Sequence, residues 1–198
     1  MVKFKNLQKE DPYIMFKDRY DTALKSGQKN IEAMVISSYD TNCMEVNSRC
    51  VNLKFIDGNK FIFFSNYNSP KSIAFRSHQQ ISALFYWPST NNQIRIKAKI
   101  NRTSDDYNRQ YFKKRSKNKN ALAISSNQSQ RIKSYDYVVK KYNEVKNTHD
   151  LQKCPDFWGG FSFIPYYFEF WEGNDSRLNR RDVYKMINGK WENFIIEP

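Results

Sequence analysis

In the stretch NQIRIKAKINR, residues 92 to 102, Ile94, Ile96, Ala98 and Ile100 alternate with Gln93, Arg95, Lys97 and Lys99. Successive side chains of a strand point to opposite faces, so this run has one apolar face and one face of amide and cationic groups. It demands a sheet packed on a core from one side. Four more β-rich runs precede it: EAMVISSYD, SRCVNLKFID, NKFIFFSN and ISALFYWP, with turn signals at Asp57-Gly58 and from Asn66 to Pro70. They read as consecutive antiparallel strands.

Helical signals flank these runs. From Asp11 to Gly27, Ile14, Phe16, Tyr20 and Leu24 fall near helical spacing, and Gly27 is a common residue just past a helix end. Ser104 is an N-cap candidate for SDDYNRQYFKKR, with two acids in the first turn that suit the helix dipole. A second helix is read in SYDYVVKKYNEV. Strands return in GGFSFIPYYFEFW and DVYKMINGKWENFIIEP, where Asn188-Gly189 marks a hairpin. The order is one helix, about five strands, two helices and three strands. It predicts a mainly β fold, an antiparallel barrel with peripheral helices, rather than βαβ units. One domain is expected over residues 1–198, with an N-terminal helix about 11–27, a helical layer about 104–146 and C-terminal strands about 159–198.

Several function classes are excluded or weakened. No apolar run reaches about eighteen residues, and the N-terminal MVKFKNLQKEDPY is charged where a signal peptide needs an apolar stretch, so a soluble cytoplasmic protein is expected. Cys43, Cys50 and Cys154 form no CxxC pair, His78 and His149 have no partners at ligand spacing, and no metal is expected. The GxGxxG, GxxxxGK[ST], HExxH and GxSxG signatures are missing.

The net charge is +13, from 33 Lys and Arg against 20 Asp and Glu. Such an excess attracts nucleic acid or phosphorylated ligands, and equally describes a lysine-rich soluble surface. Its densest run is KKRSKNKN, residues 113 to 120. A second cluster lies in EFWEGNDSRLNRR, residues 169 to 181, where Arg177, Arg180 and Arg181 follow a strand and a turn. These guanidinium groups are either splayed into solvent or held for an anion. Tyr111 and Arg115 are four apart on one helical face, a geometry that suits a shared anion. With Arg49, Lys54, Lys71, Gln93, Gln128, Ser129 and Trp171 they make a set suited to something flat and phosphorylated.

Taken in order, DPYIMF, EAMVISSYD, SRCVNLK, FFSNYNSPKS, NQIRIKAK, YFKKR, SSNQSQRI, FWGGF, FEFW and RLNRR resemble the pyridoxine/pyridoxamine 5'-phosphate oxidase family nearly end to end. The resemblance implies an FMN-binding split β-barrel of Greek-key type and a twofold homodimer with sites at the interface. It also implies oxidation of phosphorylated B6 vitamers to pyridoxal 5'-phosphate, with dioxygen reduced to hydrogen peroxide. By the same resemblance the segment Arg49, Cys50, Val51, Asn52, Leu53 and Lys54 lies against FMN, with Lys54 shared with the substrate phosphate. Phe64 and Ser65 touch the flavin, and Ser69 and Lys71 belong to its phosphate loop. Gln93, Gln128, Ser129, Trp171 and Arg181 are further FMN contacts. Tyr111, Arg115 and Lys119 fall at the substrate phosphate, and Arg177 and Asn179 at the substrate ring as the catalytic pair.

Three positions depart from the family pattern. Asn179 stands where it has histidine, Lys119 where it usually has serine, and Pro70 where the phosphate loop has arginine. The readings in competition are a diverged flavin oxidase of another substrate, as in phenazine-pathway relatives, and a non-catalytic carrier of FMN or pyridoxal phosphate. A nucleic-acid module is disfavoured because the aromatic residues follow strand and core patterns.

Overall fold

The computed structural model describes all 198 residues. The elements run β1 (Lys3–Lys5), α1 (Asp11–Lys25), β2 (Ala33–Asp40), β3 (Glu45–Asn52), β4 (Phe55–Asp57), β5 (Lys60–Asn66), α2 (Pro70–Ser77), β6 (Gln80–Trp87) and β7 (Asn92–Arg102). They continue with α3 (Asp105–Lys113), α4 (Lys117–Ser125), α5 (Tyr135–Thr148), β8 (Trp158–Glu172), β9 (Arg180–Ile187) and β10 (Lys190–Ile195). The mainly β, split-barrel expectation holds. Strand neighbours follow the path β1-β4-β5-β8-β7-β6-β2-β3, and every pair is antiparallel except β1 with β4.

The sheet is not a closed ring; it forks along β8. Residues 158–163 pair with β5, residues 167–172 pair with β9, and β7 runs along the other edge of the strand. Tyr166 is the extra residue of a bulge between these halves, because Lys97 pairs with Tyr167 and Ala98 with Pro165. A bulge tolerates a proline that a regular ladder would not.

The alternation in β7 is realised. Ile94, Ile96, Ala98 and Ile100 are all buried in a core cluster of 27 residues. Its other face is largely structural: Arg95 pairs with Glu169 at 2.7 Å and Lys97 lies over the Tyr167 ring. Helix α1 turns a different stripe inward than its aliphatic residues indicate. Tyr13, Phe16, Tyr20 and Ala23 are buried, whereas Ile14 and Leu24 are largely exposed. The 3-4-3 spacing of the buried set keeps it on one face, and the aromatic rings pack edge-on against Phe61, Phe85, Trp87 and Phe168.

Four elements differ from expectation. SRCVNLKFID is two strands, broken where the Leu53 side chain turns fully into the core. Helix α2 follows Ser69 directly, with Pro70 at its first position, where a missing N–H costs nothing. The helix read through SDDYNRQYFKKR stops early: α3 ends at Lys113, which leaves Arg115 outside it, and a separate α4 starts at Lys117, held by Asn120, whose amide donates to the carbonyls of Phe112 and Leu151. The short strand β1 is also new. The Ser104 N-cap behaves as read, accepting from the Tyr107 N–H, and the structure adds a second at Ser134, which accepts from that of Tyr137. At the Asn188-Gly189 hairpin both residues have positive φ, 50° and 79°.

Candidate functional site

A cavity of about 900 Å³ opens between the β1–β4 edge, the end of β5, the start of α2 and the helices α3 and α4. Its wall includes seven Lys and Arg residues and no Asp or Glu. Unopposed positive charge around a concave, partly apolar space is the setting for an anionic ligand.

One pole is built on Lys71. Its side chain is 7% exposed, and its ammonium donates only to the hydroxyls of Ser65 and Ser69, each at 3.0 Å. Burial, and secondly the nearby Arg49 cation, push its pKa down to about 8. Holding a cation here without a carboxylate is costly, and a bound anion would relieve it. The turn is fixed from inside: the Asn66 carbonyl accepts from the hydroxyls of both Ser69 and Ser72 at 2.7 Å. Ser69, fully buried, therefore orients Lys71 and is not open to a ligand. The start of α2 adds its positive dipole end to this pole, although Pro70 has no N–H and the Ser72 and Ile73 N–H groups are taken by the Ser69 carbonyl.

The opposite pole is built on α3 and α4. Tyr111 and Arg115 both reach the cavity, but not from one helical face as expected: Tyr111 is in the last turn of α3 and Arg115 in the turn between α3 and α4. The Tyr111 ring stacks on Phe64 at 4.0 Å, Phe64 stacks on Trp158 at 5.2 Å, and the Arg115 guanidinium lies 4.3 Å over Trp158. Arg115 Nη1 is buried with no hydrogen-bond partner. Burial lowers the Arg115 pKa and raises that of Tyr111, a shift that the neighbouring guanidinium opposes. An unpaired guanidinium N–H beside a phenol suits an oxyanion. Lys54 and Lys119 also line the space, with Lys54 3.7 Å from Glu32.

Of the residues singled out in the sequence, Cys50, Val51, Asn52, Lys54, Phe64, Ser65, Lys71, Tyr111, Arg115, Lys119 and Gln128 line this one cavity. Ser129 follows Gln128 in a left-handed conformation, φ 69°. Arg49 lies beside the Lys71 pole with its guanidinium on Ser38 Oγ at 2.8 Å. The Leu53 side chain is in the core and faces no ligand.

A second group forms elsewhere. Gln93 pairs with Trp171 across β7 and β8, and Trp171 with Arg181 across β8 and β9, a transverse row on three strands. Trp158 at the cavity and Trp171 in the row are 13 residues apart on β8, about 40 Å along the strand. Arg181 is engaged by Glu169, which it meets through Nε at 3.0 Å and Nη2 at 2.8 Å. Glu169 is 2% exposed; burial raises its pKa, but donation from Arg181 and Tyr167 and the charge of Arg95 hold the carboxyl below its usual range. Arg177 is exposed with φ 66°, and Asn179 accepts from the Asn174 N–H at 3.1 Å, closing the same loop. Arg180 pairs with Asp182 at 2.8 Å.

Residues 20–149 match the family model described as pyridoxamine 5'-phosphate oxidase. The chain belongs to that family. Residues 158–198 match a second model, the pyridoxine 5'-phosphate oxidase C-terminal dimerisation region, which contains the whole Trp171 and Arg181 end of the row. The pyridoxine/pyridoxamine 5'-phosphate oxidase of Coxiella burnetii is 33% identical over 95% of this chain and 96% of its own. A relative so described from Hydrogenovibrio crunogenus is 35% identical over 90% and 82%. In fold, PhzG from Burkholderia lata, solved with tetrahydrophenazine-1-carboxylic acid, superposes with a TM-score of 0.89 at 22% identity over 95% of this chain and 93% of its own. A pyridoxamine 5'-phosphate oxidase-related, FMN-binding protein from Nostoc punctiforme gives 0.77 at 14% identity, over 96% and 100%.

Sequence reading missed part of the cavity of this oxidase-family chain. Trp158 was visible only as part of the FWGGF motif, and Tyr107, one turn before Tyr111, carried the same signal. Lys3 and Lys5 were not readable, because a three-residue strand at a terminus has no periodicity. The network that seats α3, described below, was also hidden.

Proposed function

We propose that this chain is an FMN-dependent oxidase of pyridoxamine 5'-phosphate and pyridoxine 5'-phosphate, forming pyridoxal 5'-phosphate and hydrogen peroxide, and that it works as a homodimer. The observation that carries the reading is the acid-free cavity with two built anion poles, the buried ammonium of Lys71 and the orphaned Nη1 of Arg115. Two phosphates, one from the cofactor and one from the substrate, fit two poles.

The residues present fit FMN. Lys71, with Arg49 behind it and the start of α2, would hold its phosphate; Ser65, Asn52 and Gln128 offer amide and hydroxyl partners for its polar edge. When bound, FMN supplies the redox step, taking a hydride from the carbon that bears the amine or hydroxyl and passing the electrons to dioxygen. The chain supplies orientation and charge. Tyr111, Arg115, Lys54 and Lys119 would clamp the substrate phosphate, each good charge-assisted bond contributing roughly 1.5–3 kcal/mol. The Phe64–Tyr111–Trp158 stack gives the cavity an apolar, aromatic wall.

The row of Gln93, Trp171 and Arg181 lies too far along β8 to reach its own cavity. In a twofold dimer built through the 158–198 region it would complete the partner's site, with Arg177 reaching the substrate ring. A diverged substrate is favoured by one observation: Asn179 cannot titrate, and its side-chain oxygen is turned into its own loop.

The test is aerobic turnover of pyridoxamine 5'-phosphate with bound FMN quantified, reading aldehyde and peroxide together. Stoichiometric products support the oxidase; full FMN occupancy without turnover defeats it, and turnover of a different amine or alcohol establishes the diverged reading.

A further inference from the structure

We propose that Asn108 is a positioning residue whose carboxamide locks α3 onto the Gly159-Gly160 segment of β8 and so sets where Tyr111 and Arg115 stand over the cavity. The inference rests on the reading of that cavity as a site for a phosphorylated substrate.

Asn108 is 2% exposed, on the face of α3 turned to the sheet. Its Oδ1 accepts from the Gly160 N–H at 2.8 Å and from the Thr103 hydroxyl at 2.6 Å, and its Nδ2 donates to the Tyr67 hydroxyl at 2.9 Å. That hydroxyl in turn donates to the Gly160 carbonyl at 3.1 Å, which also accepts from the Thr103 N–H at 3.0 Å. The carboxamide thus uses its donor and its acceptor together, and neither a carboxylate nor an aliphatic side chain can do both.

The two glycines make room for this network. A Cβ on Gly159 would lie 2.1 Å from the Tyr67 hydroxyl and 2.5 Å from Asn108 Nδ2, and one on Gly160 would lie 2.5 Å from Thr103 Oγ1. Both glycines are therefore required by the close approach of α3 to β8.

The anchor side is rigid. Tyr67 sits between β5 and the Lys71 turn, and its own N–H donates to the Phe157 carbonyl at 2.6 Å. The supported side carries the clamp. Tyr107 precedes Asn108 and Tyr111 follows it by three residues, so Asn108 is the inward point of the turn whose neighbouring faces stack on Phe64. Apart from Phe112, it is the one buried residue of α3. Without its three bonds, α3 keeps Phe112 in the core and the stacking of Tyr107 and Tyr111 on Phe64 but loses its only side-chain hydrogen bond to β8, and Arg115 inherits that looseness through the α3–α4 link.

FMN-loaded Asn108→Leu and Tyr67→Phe, the second a one-atom change, are compared with wild type by calorimetry using pyridoxal 5'-phosphate, and by steady-state kinetics. Both variants are expected to weaken pyridoxal 5'-phosphate binding and to raise KM about 10- to 100-fold with kcat and FMN content little changed. Asn108→Asp, which keeps the acceptor, should fall between. Val145→Ala on α5 lowers stability without touching the network; equal weakening there would overturn the proposal, as would wild-type affinity in both network variants. Hydrogen exchange needs no ligand: faster exchange across residues 105–113 in Asn108→Leu, with β5 and β8 unchanged, supports the lock, and unchanged exchange overturns it. FMN-loaded wild type that fails to bind pyridoxal 5'-phosphate defeats the functional reading alone and leaves exchange to decide the lock.

Discussion

Replacing Lys71 by methionine should stabilise the empty protein while weakening its hold on FMN. The ammonium is 7% exposed and its pKa falls from the ordinary 10.5 to about 8. At about 1.36 kcal/mol per pKa unit this corresponds to about 3 kcal/mol held against folding at pH 7. Methionine keeps the length of the chain and loses two hydrogen bonds to the Ser65 and Ser69 hydroxyls, about 1 kcal/mol each. The net gain is about 1 kcal/mol, or about 3 °C in Tm for a chain of this size. FMN affinity should move the other way, by about 1.5–3 kcal/mol, which is roughly 10- to 150-fold.

The pH dependence gives the sign. Between about pH 8 and 10.5 the unfolded chain holds a proton on this lysine that the folded chain has released, so wild-type stability rises with pH across that window. The advantage of Lys71→Met should therefore be full below pH 8, vanish at about pH 9, where the shrinking charge penalty equals the lost hydrogen bonds, and be reversed by 10.5. Thermal unfolding of FMN-free protein at several pH values, with fluorescence titration of FMN at pH 7, measures both. A variant less stable than wild type at pH 7, or a stability difference flat from pH 7 to 10, would refute the reasoning.

Co-expressed Lys71→Met and Trp171→Ala chains should form a heterodimer that recovers one normal FMN site in two, because one pairing joins an intact cavity to an intact row; no recovery would place all contacts in one chain. Glu169→Gln should cost about 1.5–3 kcal/mol at neutral pH by removing the carboxylate shared by Arg95 and Arg181, which are themselves partly solvated, read by denaturant unfolding. Because the Glu169 pKa is depressed in the fold, the wild-type advantage should be present above the unfolded carboxyl value and shrink as pH falls through the folded one. Gly159→Ala, whose new Cβ would lie 2.1 Å from the Tyr67 hydroxyl, should lower Tm by about 6 °C or more, and a shift under 2 °C would show that Tyr67 yields freely.

Much of the fold was legible because its signals are local. The alternation in β7, the Ser104 cap and the Asn188-Gly189 hairpin each depend on residues within a few positions of one another, and each is realised. Helix α4 was not legible, because KNKNALAIS has no apolar stripe; it is a helix on account of Asn120, which binds carbonyls 8 and 31 residues away. The inward face of α1 was misjudged for a related reason. Phe61, Phe85, Trp87 and Phe168 select Tyr13 and Phe16 over Ile14 and Leu24, and that selection exists only once the sheet has formed.

For the site, the sequence by itself determined which groups are available: cations, amides and aromatics in an order that resembles one oxidase family, with Pro70, Lys119 and Asn179 as departures. It also set Tyr111 and Arg115 four residues apart, but α3 ends at Lys113, so the turn into α4 and not helical spacing brings Arg115 to the cavity. Only the tertiary structure decided which of these groups meet. It gathered eleven of them around one cavity, stripped Lys71 of any carboxylate, and carried Gln93, Trp171 and Arg181 to the far end of β8. The physical reason is that strand register and burial, which set distance and dielectric, are fixed by pairings between residues far apart in the chain.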